Sequence, residues 1–363
     1  MMVKNTKGGL FMKDLAQLDK NFSIAEVDGS RFEFRDCRQE PFRIYGLILP
    51  NGEDPCFMRM PSKVAETVNE GVLSLANRTA GGRIRFRTDS SCIAIRVKLH
   101  SVYRGDHFPM TGSAGFDLYA DGAYRGTFRP PFDVSDGFDS QVNLHGSALR
   151  DILIHMPLYT GVISLEIGVE PGSQLLPGDE YKYTTPVVYY GSSITQGGCA
   201  SRPGNCYQNH ISRHYDCDHV NLGFSGSAKA EETMIDYLIS LPMSVFVMDY
   251  DHNAPTPEYL EKTHYKMYRR FRDARPDVPI VMATMPKVTA TANSIQRRKT
   301  ILATIEKARA EGDNNVYFVD GKEMMAMFGD DGGLVDDCHP NDLGFLCMSR
   351  AFGEVIGKIL TRM

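Results

Sequence analysis

Two stretches of the sequence combine residue types that could carry out acyl-transfer chemistry. Residues 186–190 are rich in β-branched and aromatic residues, which predicts a buried strand, and Gly-Ser-Ser follows at 191–193. Such a turn places a hydroxyl at the carboxyl edge of a sheet, where open α/β sheets bind ligands. The second stretch, Asp-Asp-Cys-His-Pro at 336–340, offers a histidine that could take the serine proton and a carboxylate that could orient it.

The stretch Gly-Ser-Ser-Ile-Thr-Gln-Gly at 191–197 resembles the first conserved block of the SGNH, or GDSL-like, hydrolases, which reads Gly-Asp-Ser-Ile-Thr-x-Gly. The resemblance implies that Ser193 is the nucleophile, with Ser192 where the family more often has aspartate. Residues 336–340 resemble the family's Asp-x-x-His-Pro block, which implies His339 as general base and Asp336 as its partner. Asp337 is the competing carboxylate, and the family spacing favours Asp336.

The same resemblance implies three donors to the oxyanion: the backbone N–H of Ser193, the backbone N–H of Gly226 and the side chain of Asn253. Gly226 ends the stretch Asn-Leu-Gly-Phe-Ser-Gly at 221–226. The alternative to a role as oxyanion donor is that Gly226 only permits a left-handed turn. Asn253 lies where the family has a Gly-x-Asn-Asp block, although Asp251 replaces the glycine and Ala254 the aspartate. Its alternative role is to cap the loop.

Ser225 is the alternative nucleophile. The elbow of the α/β-hydrolases requires Gly-x-Ser-x-Gly, and the sequences around Ser225 and Ser193 both lack the last glycine. The sequence therefore disfavours that family.

Candidate substrate contacts are Arg202, in the loop after Ser193, together with Asp251 and His252. We also expect the polar loop at 103–112 to overhang the site, because long polar loops often carry function. No set of histidines and cysteines has metal-ligand spacing, so we expect neither a metal nor a cofactor.

The composition is that of a soluble globular protein, with 42% apolar and 23% charged residues and a net charge of -5. It gives no electrostatic reason to expect nucleic acid as a partner, and no apolar run is long enough to span a membrane. The polar N-terminus does not resemble a secretory signal, so we expect a cytoplasmic protein. The eight cysteines are scattered, which favours free thiols, although Cys199 and Cys206 could form a bridge in an exported protein. The sequence leaves a homo-oligomer open.

The pattern of strands and helices changes along the chain. An arm at 1–22 precedes short alternating strands over 23–178, which predict an all-β, jelly-roll-like sandwich. The motif Gly-Phe-Asp-Leu-Tyr at 115–119 resembles the Gly-x-Asp-Leu-Tyr motif of a β domain that precedes some SGNH hydrolases. After a Pro/Gly-rich junction at 171–180, strands and helices alternate over 179–363. This alternation predicts a parallel sheet in a flavodoxin-like three-layer α/β sandwich, as in the SGNH hydrolases.

Taken with the family resemblance, these features predict a serine esterase that removes short acyl groups, acetyl in the first instance, from small-molecule or oligosaccharide esters. A lipase or thioesterase is the alternative within the same chemistry. A non-catalytic carbohydrate-binding protein on the same fold is the alternative outside it. The absence of tryptophan counts against a sugar-stacking platform, although tyrosine can take that role.

Overall fold

The computed structural model describes residues 18–19 and 26–363. The arm predicted at 1–22 lies outside the described residues, apart from Leu18 and Asp19. Within the described part of the chain, no helix combines the length and the apolar character needed to cross a membrane.

The first half of the chain contains two antiparallel sheets packed face to face. One has the order β1–β9–β4–β7, and the other has the order β10–β3–β8–β5–β6 with β2 beside β3. The strands are β1 (Glu33–Asp36), β2 (Arg43–Tyr45), β3 (Arg83–Thr88), β4 (Cys92–Ser101), β5 (Phe116–Ala120), β6 (Ala123–Phe128), β7 (Gly137–Asn143), β8 (Arg150–His155), β9 (Gly161–Val169) and β10 (Leu175–Pro177). Alternate apolar side chains of both sheets, such as Ile95 and Ile154, fill one core between them. The predicted β-sandwich is confirmed.

Part of the predicted junction at 171–180 is ordered as a strand. β10 pairs with β3, so this segment closes one edge of the second sheet before the chain enters the next half.

Two helices that the sequence pattern did not predict lie between β2 and β3. They are α1 (Ser62–Val68) and α2 (Glu70–Ala76). Their apolar residues, among them Ala65 and Val72, share a core with Val188 and Tyr190 of the C-terminal sheet. This segment of the first half therefore covers one face of the second half.

The second half of the chain forms a parallel sheet with the order β12–β11–β13–β14–β15. Its strands are β11 (Tyr183–Gly191), β12 (Cys217–Gly223), β13 (Val245–Asp249), β14 (Ile280–Ala283) and β15 (Val316–Val319). Counted from β11, this is the 2-1-3-4-5 order of flavodoxin-like folds, as predicted. In such sheets ligands bind beyond the carboxyl ends of the strands, at the point where the strand order reverses. Here that point lies between β11 and β13.

Helices cover both faces of this sheet. They are α4 (Ser193–Gln196), α5 (Tyr207–Tyr215), α6 (Glu232–Ser240), α7 (Pro257–Ala274), α8 (Ala292–Ala310), α9 (Gly321–Met325) and α10 (Asp342–Leu360), whereas the short helix α3 (Met110–Ser113) belongs to the sandwich. Leu260 of α7 packs on one face and Phe352 of α10 on the other, which gives the expected three layers. The Thr256 hydroxyl accepts the Tyr259 N–H and Pro257 is the first helical residue, so the predicted start of α7 is confirmed.

The helix predicted from residue 228 begins later, at Glu232. Ala230 has a φ of 56°, in the left-handed region, which a right-handed helix cannot include. Its N–H donates to the Tyr190 hydroxyl (3.0 Å).

Candidate active site

Ser193 is the first residue of α4, directly after the carboxyl end of β11. The Ser192 hydroxyl caps this short helix by accepting the Ile194 N–H (3.1 Å). A Cβ at Gly191 would lie 2.0 Å from the Thr195 hydroxyl and 2.3 Å from the Asp249 carbonyl, so only glycine allows this close packing. The Ser193 side chain is thereby fixed at the sheet edge and is 6% exposed.

His339 connects Ser193 to Asp336. The Ser193 hydroxyl donates to His339 Nε2 (2.9 Å), and His339 Nδ1–H donates to Asp336 Oδ2 (2.8 Å). The other oxygen of Asp336 accepts the backbone N–H groups of Cys338 and His339. Burial acts to raise the pKa of Asp336, but the backbone and ring hydrogen bonds from His339 outweigh it and lower the pKa to about 2. Asp336 is therefore ionised at neutral pH and fixes the tautomer of His339.

Asp337, the competing carboxylate, points away from this chain of hydrogen bonds. Its side chain is 97% exposed and forms an ion pair with Lys287. The geometry thus brings together the set Ser193, His339 and Asp336 that the sequence predicted.

Two backbone N–H groups near Ser193 have no protein acceptor among the described residues. They belong to Ser193 itself and to Gly226. Gly226 has a φ of 68°, and a Cβ there would meet no atom within 4 Å, so the backbone conformation is what requires glycine. The Phe224 N–H donates to the Gly191 carbonyl (2.8 Å), which ties this loop to the turn that carries Ser193.

Asn253 reaches the same loop. Its Nδ2 donates to the Phe224 carbonyl (2.8 Å), which uses one of its two amide hydrogens and leaves the second. Backbone and amide donors held in this way can stabilise an oxyanion without reorganising during the reaction.

Each half of the chain matches a known protein family. Residues 184–357 match the GDSL-like lipase/acylhydrolase family, and residues 32–175 match the GxDLY family, the N-terminus of SGNH-hydrolase-type esterases. The chain is an SGNH-type acylhydrolase. No curated protein sequence matches it.

Solved structures with the same fold span nearly the whole chain. A protein described as a GDSL-like lipase from Bacteroides ovatus is 28% identical with a TM-score of 0.81, and the match covers 91% of this chain and 98% of that one. Salicylyl-acyltransferase SsfX3 of a tetracycline biosynthetic pathway is 18% identical with a TM-score of 0.73, covering 89% and 96%. A family two carbohydrate esterase from Clostridium thermocellum, in complex with cellohexaose, is 14% identical with a TM-score of 0.57, covering 79% and 94%.

In this acylhydrolase the GxDLY motif holds the loop that follows the nucleophile. Asp117, the motif aspartate, is fully buried and accepts from His155 Nδ1 (2.7 Å), Arg202 (2.7 Å) and the Gly204 N–H (2.8 Å). Burial acts to raise the pKa of Asp117, but His155 and Arg202 outweigh it and lower the pKa. Arg202 also donates to the hydroxyl of Tyr119, the motif tyrosine (2.7 Å). Arg202, a candidate substrate contact, is thus engaged in this clamp between the two halves.

Asp251 and His252, the other candidate substrate contacts, lie behind the loop that carries His339. Asp251 is 2% exposed and accepts the Met285 N–H (3.2 Å), and burial raises its pKa to about 6. His252 Nε2 accepts from the Cys338 thiol (2.8 Å), and burial lowers the pKa of His252 to about 4. His252 therefore supports the loop that carries His339 through this hydrogen bond, whereas Asp251 is bonded to Met285.

The loop at 103–112 overhangs the site, as expected. His107 Nε2 lies 3.8 Å from Asp336 Oδ2, and the rings of His107 and His339 are 5.7 Å apart. The Thr111 hydroxyl donates to the Ser201 carbonyl (2.6 Å), which fastens the overhang to the loop after the nucleophile. His107 was not singled out from the sequence, where it is one of ten histidines in a loop without a motif.

A second residue missed by the sequence analysis has its carboxyl group buried beneath the turn that carries Ser193. Asp249, at the end of β13, accepts from the hydroxyls of Thr195 (3.0 Å) and Tyr207 (3.1 Å). Burial, followed by the neighbouring Asp251, raises the pKa of Asp249 to about 7. The cysteines of the nearby loop, Cys199 and Cys206, are free thiols.

Proposed function

We propose that this acylhydrolase is a serine esterase that removes short acyl groups, acetyl in the first instance, from the hydroxyls of carbohydrates. The observation that carries the proposal is the continuous chain of hydrogen bonds from Ser193 through His339 to Asp336. The set meets the geometric requirements of a nucleophile, a general base and a group that orients the base.

In the proposed reaction Ser193 Oγ attacks the ester carbonyl while His339 Nε2 takes its proton. The charged Asp336 stabilises the imidazolium, and the oxyanion accepts hydrogen bonds from the N–H groups of Ser193 and Gly226 and from Asn253. His339 then gives the proton to the departing alcohol, leaving an acyl-enzyme. Water attacks this intermediate, His339 accepts a proton from the water, and collapse of the second tetrahedral intermediate returns the proton to Ser193 and releases the acid.

The preference for a short acyl group is supported by the close packing around Ser193. A Cβ added to Gly198 would lie 3.1 Å from the Tyr159 hydroxyl and 3.2 Å from both the Ser193 carbonyl and the His339 ring. The Tyr159 hydroxyl itself donates to the Ser193 carbonyl (3.3 Å). The packing on this side of Ser193 is therefore tight, which favours small acyl groups over long chains.

A sugar as the alcohol is supported by the pocket next to His107. This open pocket of about 610 Å³ is lined by residues 104–110 and by Phe132, whose side chain is 80% exposed. Sugar rings pair an apolar face with peripheral hydroxyls, and the pocket offers an aromatic ring beside the polar groups of Arg104 and Asp106. The shared fold with carbohydrate esterases agrees with this substrate class at the level of architecture.

The test is hydrolysis of acetylated oligosaccharides and of 4-nitrophenyl esters of increasing acyl length. We expect the rate to be highest for acetate and to fall with chain length, and to be lost in Ser193→Ala. Ser225→Ala is the matched control, since Ser225 is the alternative serine, and it should retain activity.

Each other outcome identifies a competing function. Rates that rise with acyl length would favour a lipase or thioesterase. Binding of oligosaccharide without turnover of any ester would favour a carbohydrate-binding protein. Activity that survives in Ser193→Ala but not in Ser225→Ala would move the nucleophile to Ser225.

A further inference from the structure

Three side chains of types that can bind metals lie close together beside Ser193, and each comes from a different segment. His107 lies in the overhanging loop, Cys199 in the loop after α4, and His339 in the catalytic loop. One ligand atom of each lies within 4.8 Å of the others. Imidazole nitrogen and cysteine sulfur are the ligands preferred by Zn²⁺ and related soft cations.

The two histidines are oriented as metal-ligating histidines usually are. Such residues almost always use their second ring nitrogen to donate to a carboxylate or carbonyl, which fixes the ring and increases its basicity. His107 Nδ1 pairs with Asp106 Oδ1 (2.9 Å), and His339 Nδ1 pairs with Asp336 Oδ2 (2.8 Å). In both rings Nε2 is therefore the nitrogen available to a cation, which at His339 would displace the hydrogen bond from the Ser193 hydroxyl.

Cys199 is held in an uncommon conformation. Its φ is 73°, in the left-handed region that residues other than glycine rarely adopt. Strained residues of this kind concentrate at functional sites. The thiol is 5% exposed, and burial, with Asp336 and Cys338 nearby, raises its pKa to about 12. It is a neutral thiol that a bound cation would have to deprotonate.

A second group of ligands shares His339 but is less available. Asp336, Cys338 and His339 also place ligand atoms within 4.8 Å of one another. However, the Cys338 thiol already donates to His252 Nε2, and both oxygens of Asp336 accept hydrogen bonds from the catalytic loop. The set with His107 and Cys199 requires none of these bonds to break.

We propose that His107, Cys199 and His339 form an inhibitory site for Zn²⁺ and similar soft divalent cations. Tetrahedral coordination with bonds of ~2.0–2.3 Å places ligand atoms ~3.5 Å apart, so ligand atoms that now lie within 4.8 Å of one another have to draw together around the cation. The cation takes the Nε2 lone pair that would accept the Ser193 proton, and the Cys199 thiol releases its proton to solvent. A water molecule completes the coordination, and the enzyme has no general base while the cation is bound.

The first experiment measures hydrolysis of 4-nitrophenyl acetate during titration with Zn²⁺. We expect inhibition that EDTA reverses fully and that Mg²⁺ and Ca²⁺, which prefer oxygen ligands, do not reproduce. In Cys199→Ser and His107→Ala the inhibition constant should rise about tenfold or more, each rate being taken relative to the same variant without metal.

Matched controls separate this site from general zinc effects. His100→Ala removes an exposed imidazole on β4, and Cys347→Ser removes a buried thiol on α10. Both should retain the wild-type inhibition constant. Equal inhibition of all variants, or none of the wild type, would overturn the proposal, and relief in Cys338→Ser alone would assign the metal to the second group.

A readout without turnover keeps the site distinct from the proposed esterase activity. Cd²⁺ added to Ser193→Ala should produce the ultraviolet charge-transfer band of a cadmium thiolate, with release of a proton. The band should disappear when Cys199→Ser is added and persist with Cys347→Ser. A band unaffected by Cys199→Ser would disprove the assignment even if the protein hydrolysed no ester.

Discussion

The turn after β11 and the loop after β4 face each other across the site, and they are held in different ways. The turn with Ser193 is buried: the Thr195 hydroxyl donates to Asp249 (3.0 Å), and Gln196 Nε2 donates to the Leu158 carbonyl (3.2 Å). The overhanging loop presents Asp106 fully to solvent and His107 partly. The α/β half thus contributes fixed geometry, and the sandwich contributes side chains that a substrate can reach.

This difference separates two requirements of an enzyme. Reacting groups must be held to within a fraction of an ångström by packed neighbours, whereas groups that select a substrate can lie on exposed loops. Asp117 connects the two, because a buried residue of the sandwich fixes the loop after the nucleophile.

The largest effect should come from the α/β half. Asp336→Asn keeps the shape of the side chain but removes the charge that selects the tautomer of His339, so we expect kcat to fall by about 10³–10⁴. Asp337→Asn, which alters an ion pair whose carboxylate is 97% exposed, should remain close to wild type. An equal loss in both variants, measured with 4-nitrophenyl acetate, would mean that the loop as a whole matters and not the Asp336 carboxylate.

Asp117→Asn tests whether the sandwich acts as a clamp. The change leaves His155 and the largely buried Arg202 without their shared negative charge, and breaking a buried pair costs on the order of 3–5 kcal/mol in the free energy of unfolding. Urea denaturation measures this loss. Asp139→Asn, in an exposed pair with Arg96, should lose at most about 1 kcal/mol. Similar losses in the two variants would show that Asp117 is not a clamp.

Asn253→Ala tests the oxyanion donors. We expect kcat to fall by about 10²–10³ with little change in KM, because the donated hydrogen bond forms mainly in the transition state. The melting temperature is the control, since Asn253 also binds the Phe224 carbonyl. A change in stability with unaltered kcat would assign Asn253 a structural role only.

Asp249 should make stability depend on pH. Its pKa is about 7 in the folded protein and about 3.9 in an unfolded chain, so between these values the folded state binds more protons. The contribution of Asp249 to the free energy of unfolding should therefore fall as pH rises from about 4 to about 7, and level off above.

Asparagine at position 249 cannot titrate, so Asp249→Asn should lack this contribution. Its stability relative to wild type should increase by on the order of a few kcal/mol between pH 5 and pH 8 in urea denaturation. A difference that is constant with pH would indicate that Asp249 is already ionised in the folded protein.

The smallest effect should lie in the sandwich. Phe132→Ala removes the exposed ring of the proposed sugar pocket, so the kcat/KM ratio of an acetylated oligosaccharide to 4-nitrophenyl acetate should fall about 2- to 10-fold. Leu149→Ala, an exposed apolar residue elsewhere in the sandwich, should leave the ratio unchanged. An unchanged ratio in Phe132→Ala would place the alcohol outside this pocket.

The sequence predicted best what is encoded locally. Strand β4 alternates apolar and polar residues, and α7 begins with Thr256 and Pro257, so neighbouring residues alone indicate these elements. Asp336 and His339 lie on one loop, so one short sequence motif was enough to predict both residues. Helices α1 and α2 were missed because each has only seven residues, and Asn69 between them caps the second.

The sequence did not indicate which residues from distant segments are in contact. Nothing in the loop at 103–112 indicates that His107 meets His339, because that depends on how the two halves pack. Arg202 was selected as a substrate contact for its place in the loop after the nucleophile, and its ion pair with Asp117 joins residues 85 positions apart. Asp249 reads as an ordinary strand end until its burial is known.

The segment between β2 and β3, with its two helices, means that the α/β half should not be stable when it is separated from the sandwich. A fragment starting at residue 179 would keep every proposed reacting group, but it would lose the apolar side chains of Met58, Met60 and Val72 from its own interior. It would also lose Arg59, which donates to the carbonyls of Asn221 and Gly223 at the end of β12. Chimeras and library designs built on this enzyme should therefore exchange surface loops of the intact chain and not whole halves.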